Sequence, residues 1–332
     1  MNDDFGEIIQ GQFKKLLEKH VDRTVLEKAD GQETLNELWG IIEESGFFLA
    51  LVSEENGGIG LDPVLAFQLI ATASYFGLPL PFGETLAVAG LLNMPFRGVA
   101  TLSSGAAGEH ARVAYGADAD HLLIALDGKW LLAPSSSITS TRGINLAGEP
   151  RDALIVETGQ LHEPVSWLEH GSLESVGALV RSAQMRGAMQ RALEMSVSYA
   201  LEREQFGRPI SKFQAVQHML ADAAGEFAAA SALVDNAAEA WGTPEFTFCS
   251  ALAKSRTGQA AGKLSEIAHQ IHGAIGFTKE HDLNFFSRRL WSWRDEFGSE
   301  AVWEEYLGRK VCKAGGVNLW DTIISATKGA TA

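Results

Sequence analysis

Cysteine is nearly absent. Only Cys249 and Cys312 occur among 332 residues, which excludes a disulfide framework and any cysteine-rich metal site. None of the nine histidines stands in a His-x-x-x-His spacing beside a carboxylate, so no metal is expected. Positive charge is also short: 27 Lys and Arg face 42 Asp and Glu, a net charge of −15. Such a surface repels polyphosphates and acidic lipid, which argues against nucleic-acid partners and membrane docking. An anionic ligand must then be held by a few local arginines and backbone donors. The first residues, Met1-Asn2-Asp3-Asp4-Phe5-Gly6-Glu7, lack the basic and apolar regions of a secretory leader. With the free thiols, this makes a cytoplasmic protein the expectation. No clean membrane span is present either. Val64 to Gly83 is uncharged over 20 residues, but Gln68, Thr72, Ser74, Gly77, Pro79 and Pro81 interrupt it. A buried helix followed by a Pro-broken turn is the expectation.

What is there falls into three textures. Up to about residue 96 the apolar period is helical, with Ile8, Phe13, Leu16 and Leu17, then Leu35, Leu38, Ile41 and Ile42. The run Ser53-Glu54-Glu55-Asn56-Gly57-Gly58-Ile59-Gly60 must be a turn. Over 97–170 short apolar runs bounded by Gly, Asp, Asn, Pro or Ser predict strands: Val99–Leu102, Ala111–Tyr115, His121–Leu126, Trp130–Ala133 and Ala153–Glu157. Asp127-Gly128 predicts a hairpin. Over 171–332 the helical period returns with Met185, Met189, Ala192 and Tyr199. That helix is expected to stop near Gly207-Arg208-Pro209. Ser211 and Gln214 then read as a capping box that opens the next helix. The fold class is mainly α with a small β-domain: an N-terminal helical domain (1–96), a reduced β-sheet or barrel domain (97–170) and a C-terminal four-helix bundle (171–332).

The segment Tyr199-Ala200-Leu201-Glu202-Arg203-Glu204-Gln205-Phe206-Gly207-Arg208-Pro209-Ile210 joins a helix end, a tight turn and a new helix start. Arg203 is suited to a phosphate, Phe206 offers a stacking face, and the helix start offers backbone donors. A solvated corner between two helices has the same pattern.

This segment resembles the flavin-binding signature of acyl-CoA dehydrogenases, Tyr-Ala-x-x-Arg-x-x-Phe-Gly followed by Phe-Gln and Ala-Asp. Arg203, Phe206, Gly207, Phe213, Gln214, Ala221 and Asp222 stand at its positions. The run from His269-Gln270 through Gly273 to Gly276-Phe277-Thr278 is similar to that family's Gln-x-x-Gly-Gly-x-Gly-Tyr-Thr segment. Gly57-Gly58-Ile59-Gly60 is similar to its N-terminal glycine turn. The resemblance implies FAD as cofactor, with Arg203 and Gln214 on its pyrophosphate and Phe206 packed on it. It also implies that Gln270 and Gly273 reach the FAD of a neighbouring subunit, and hence an oligomer. His269 and His272 then read as interface residues.

The implied reaction is α,β-dehydrogenation of an acyl-CoA thioester, with an electron-transfer flavoprotein as acceptor. A carboxylate takes the α-proton while the β-hydrogen leaves as hydride. At the family's base position, counted without gaps from Gln270, this sequence has Phe297. Glu296 is the first candidate for the role, by a one-residue shift, and Glu300 stands one turn on. The alternative base position, on the helix before Arg203, falls on Gly177 with Glu174 nearby. The family's Thr-Glu-Pro-x-x-Gly-Ser-Asp strand is represented only by Thr101-Leu102-Ser103-Ser104-Gly105-Ala106. Short bacterial members that pair with a full-length partner combine these features and take bulky CoA esters such as steroid side chains. Two functions follow: an FAD-dependent dehydrogenase subunit in a homo- or hetero-oligomer, or a non-catalytic partner that completes another chain's FAD site. Trp291, Trp293 and Trp303 read as core.

Overall fold

The computed structural model describes residues 2–33, 35–104, 109–126, 129–157, 161, 171–321 and 324. Five helices come first: α1 (Asn2–His20), α2 (Arg23–Asp30), α3 (Asn36–Ser45), α4 (Pro63–Tyr75) and α5 (Phe82–Leu92). The apolar positions of α1 and α3 do the packing, since Phe13, Leu17 and Ile42 have no exposed surface. Ile8 departs from that stripe and is 55% exposed. At α4 the chain turns into the helix through Asp62, whose carboxylate accepts from Val64 N at 2.8 Å, with Pro63 at the first position. The uncharged stretch is thus the buried helix α4 followed by the Pro79–Pro81 turn, and it ends at the second residue of α5. Among the described residues no helix is long and apolar enough to cross a membrane.

Six strands follow: β1 (Ala100–Ser103), β2 (Glu109–Ala114), β3 (His121–Leu126), β4 (Lys129–Pro134), β5 (Ile138–Thr141) and β6 (Arg151–Val156). They form two three-stranded sheets, ordered β1-β3-β4 and β2-β6-β5. Strands β1 and β3 run parallel; the other pairs are antiparallel. Val113, Leu122, Ile124, Ala133, Leu154 and Val156 make a small core between the sheets. Leu126 pairs with Lys129, while the expected Asp127-Gly128 turn lies outside the described residues. Strand β5 is Ile-Thr-Ser-Thr at a sheet edge, too polar to show as an apolar run.

The C-terminal part is α6 (Leu173–Glu202), a two-stranded ladder of β7 (Glu204–Gln205) and β8 (Arg208–Pro209), then α7 (Gln214–Glu239), α8 (Phe246–His272), α9 (Leu283–Asp295) and α10 (Glu300–Ala314). Helix α6 is the axis of the molecule and packs on α4, α7, α8 and α9. Ser172 caps it through a reciprocal bond with Ser175, a capping box with Ser in place of Glu or Gln. The expected box at Ser211 and Gln214 does not form. Ile210–Lys212 tightens into a single 3-10 turn, so Phe213 becomes the N-cap and Gln214 the first helical residue.

Candidate cofactor and substrate site

Helix α6 ends where Arg203 takes an extended conformation and its N–H still reaches Tyr199 O at 2.8 Å. The Arg203 carbonyl accepts from Ile210 N at 2.8 Å, which closes the β7–β8 hairpin against the helix end. Phe206 and Gly207 at the tip both have left-handed φ, 52° and 76°. This turn pushes the Phe206 ring into solvent, 93% exposed, with only an edge contact to Phe213 at 6.1 Å between centroids. Arg208 lies 4.3 Å over the Phe213 ring. The Arg203 guanidinium is exposed and has no ion pair or hydrogen bond among the described residues. Helix α7 has no side-chain cap, and among the described residues the N–H groups of Gln214 and Ala215 have no acceptor, whereas Val216 N already donates to Phe213 O at 3.0 Å. An unpaired cation, an open helix N-terminus and an exposed ring thus meet at one corner. This donor set fits a pyrophosphate joined to a flat ring system, even in a chain of net charge −15.

The end of α8 lies beside this corner. The Tyr199 ring, in the last turn of α6, stacks on His272 with centroids 4.6 Å apart. Gln270 is exposed in the last turn of α8. Gly273 closes the helix at φ 62°, with no atom within 4 Å of where a Cβ would stand. His269 and His272 are not at the surface. His269 is stacked between Phe277 at 4.2 Å and Trp291 at 5.3 Å, and both histidines are buried. Burial pushes their basicity below the ordinary histidine value.

The base candidate has a different role. The Glu296 side chain is 8% exposed, with Oε1 2.7 Å from Arg151 Nε and Oε2 2.6 Å from Arg181 Nε. Arg151 Nη2 and Asn145 Nδ2 donate to it at 2.9 and 3.2 Å. Burial opposes its charge, but the two guanidinium groups outweigh burial and hold the carboxyl down to about 2. The carboxylate expected as the first base candidate thus accepts four hydrogen bonds within an ion cluster. Glu300 is likewise engaged, by Arg294 Nε at 2.7 Å.

Sequence reasoning missed the cluster around Glu296. Arg181 also pairs with Glu84 at 2.6 Å and with the Gln184 amide oxygen. Arg151 continues to Glu149 at 3.0 Å, and Glu149 accepts from Arg289 at 3.2 Å and Trp293 Nε1 at 2.8 Å. The cluster joins α5, α6, β6 and α9. Its only signals are charges set inside apolar runs, Glu84 in Phe82–Leu86 and Arg181 in Leu179–Ala183.

Phe297, at the family's base position, adopts φ 53° and lays its ring on Gly177 of α6. A Cβ built on Gly177 would stand 2.1 Å from that ring, so only glycine fits there. The two positions at which the resemblance implies a base therefore touch each other, as Phe297 and Gly177. Glu174 is exposed in the first turn of α6. In the β-region the Thr101 hydroxyl is buried and donates to Ala114 O at 2.8 Å; Gly105 and Ala106 lie outside the described residues. A separate open cleft of about 1270 Å³, lined by residues such as Trp39, Leu80, Tyr115 and Phe285, lies between α2–α3, the β-region and α9. Among the described residues no group of His, Cys, Asp and Glu could hold a metal ion.

Residues 175–311 match the acyl-CoA dehydrogenase C-terminal domain. The chain is 28% identical over 299 residues to the acyl-CoA dehydrogenase IpdE2 of Mycolicibacterium smegmatis, covering 85% of this chain and 91% of that protein. The chain is thus similar to members of the acyl-CoA dehydrogenase family, and its residues 175–311 match their C-terminal domain. Members are oxidoreductases and in general flavin-dependent. The fold is shared with the ChsE4–ChsE5 complex of Mycobacterium tuberculosis, at a TM-score of 0.81 and 19% identity over 93% of this chain and 97% of that one. It is shared also with butyryl-CoA dehydrogenase of Megasphaera elsdenii, at a TM-score of 0.73 and 21% identity over 92% and 98%. At such identities these two likenesses speak to fold alone.

Proposed function

We propose that this chain is one subunit of an FAD-dependent acyl-CoA dehydrogenase built from two unlike chains, in which the other chain supplies the proton-abstracting carboxylate. The observation that carries this is the contact of Phe297 with Gly177: both base positions face each other without a carboxylate. The nearest one, Glu296, is held by two arginines. Phe cannot accept a proton, and Glu296 has no free lone pair to offer one. One of the similar folds is that of a two-component complex, ChsE4–ChsE5, which is in keeping with this reading.

Arg203, Gln214 and the open start of α7 would hold the FAD pyrophosphate, and Phe206 would cover the cofactor. Gln270 and Gly273 would reach the flavin nucleotide shared with a neighbour. FAD supplies the hydride acceptor when bound; the residues of this chain bind and orient it. The substrate class is an acyl-CoA thioester, the electron acceptor an electron-transfer flavoprotein, and the compartment the cytoplasm. The test is to purify the chain alone and with a co-expressed full-length dehydrogenase subunit. Flavin absorbance and acyl-CoA oxidation should be full only in the mixed preparation. Turnover by the chain alone would overturn the proposal.

A further inference from the structure

Phe297 does more than replace a carboxylate: it fills the space between the two base positions. Gly177, Ala178 and Ala251 present little or no side chain towards it, and Trp303 closes the far side. A left-handed phenylalanine is unfavourable by roughly 1 kcal/mol and needs its surroundings to enforce it. Four contacts do so. Glu296, the preceding residue, is pinned by Arg151 and Arg181. The buried Lys254 Nζ donates to the carbonyls on either side, Arg294 O at 2.6 Å and Gly298 O at 2.7 Å. Trp303 Nε1 donates to Phe297 O at 2.9 Å. The Arg181 guanidinium covers the ring face at 5.5 Å.

We infer that Phe297 is a built-in occupant of this chain's own acyl-binding space and that Glu296 is the positioning residue that seats it. The acyl group of the thioester is then received only by the partner chain. This rests on the proposed function for where the base would meet the acyl α-carbon. It adds that the space itself is closed, not merely without a base.

The test compares the full-length wild-type chain with Phe297→Ala and Glu296→Gln, each also in complex with its partner. Two probes are used: benzene, read by the shift in melting temperature, and butyryl-CoA, read by equilibrium dialysis. Benzene should leave the wild type unmoved and raise the melting temperature of Phe297→Ala, because a vacated apolar cavity accepts it. Glu296→Gln should gain part of that shift, which a residue with only a structural role would not produce. Butyryl-CoA uptake by Phe297→Ala should rise ~tenfold over the wild type. Phe297→Leu serves the same comparison should the alanine variant fail to fold. A wild-type chain that takes either probe as readily as the variants, or variants that gain nothing, would overturn the inference. Both results leave the missing base as it stands; that proposal fails separately, if the isolated chain oxidises acyl-CoA.

Discussion

The ring of Phe297 rests on the backbone of Gly177, 120 positions earlier in the chain, with no room for a methyl group between them. Gly177→Ala should therefore cost about 1–3 kcal/mol of stability by overpacking. In a Phe297→Ala background most of that cost should vanish. A double-mutant cycle by urea denaturation measures the coupling, and additive losses would show that the two residues do not share the space.

Glu296→Gln removes one charge from between two buried guanidinium groups. Unfolding free energy should fall by about 3–5 kcal/mol, since Arg151 and Arg181 are left without their shared partner. A base would behave otherwise: turnover would collapse while the melting temperature held.

Arg203→Ala should do the opposite. The side chain is exposed and unpaired, so stability without flavin should change by less than ~0.5 kcal/mol. Flavin content of the mixed complex should drop sharply. Arg203→Lys should restore it only in part, because an ammonium cannot grip a phosphate with two parallel donors.

Acid should lower the stability of the chain over two separate pH ranges. His269, His272 and His281 are held below their usual basicity, burial being the main cause. The folded state thus binds fewer protons than the unfolded one just below pH ~6.5, and stability falls as pH drops from there. Glu296, lowered to about 2, contributes stability that is complete above its unfolded value near 4.5 and lost as pH falls towards 2. Melting temperature measured from pH 8 to 3 should decline first below 6.5 and again below 4.5. Glu296→Gln should shrink the second step without touching the first; Asp30 and Glu149, also held low by neighbouring cations, supply the remainder.

Lys254→Met keeps the length of the side chain but strips two carbonyls of their donor. A loss of about 2–6 kcal/mol is expected, at about 1–3 for each unsatisfied group. Hydrogen exchange around Gly298 should quicken in that variant.

The parts of the molecule that were legible in the sequence depend on local rules. Helices with a full apolar stripe, such as α3, and strands with apolar runs, such as β3, follow from period alone. Strand β5 did not, because its Thr-Ser-Thr residues face outward at an edge. The Arg203–Gln214 corner was legible as a motif, yet the capping expectation at Ser211 missed how tightly Ile210–Lys212 coils. The ion cluster was out of reach for a plainer reason. Glu84 and Arg181 are 97 residues apart, and Arg151 and Glu296 are 145 apart. No window of sequence holds both members of such a pair.

That same cluster governs how the molecule comes apart. Glu84, Arg151, Arg181 and Glu296 lie on segments from all three parts of the chain, and each neutralises charges that the others bring. If the strand region detached first, Glu296 would lose Arg151 inside the remaining core; if α5 detached first, Arg181 would lose Glu84. Every partial opening strands a charge away from water, and only complete opening releases them all. The three parts are thereby coupled into one cooperative unit, which melts in a single transition.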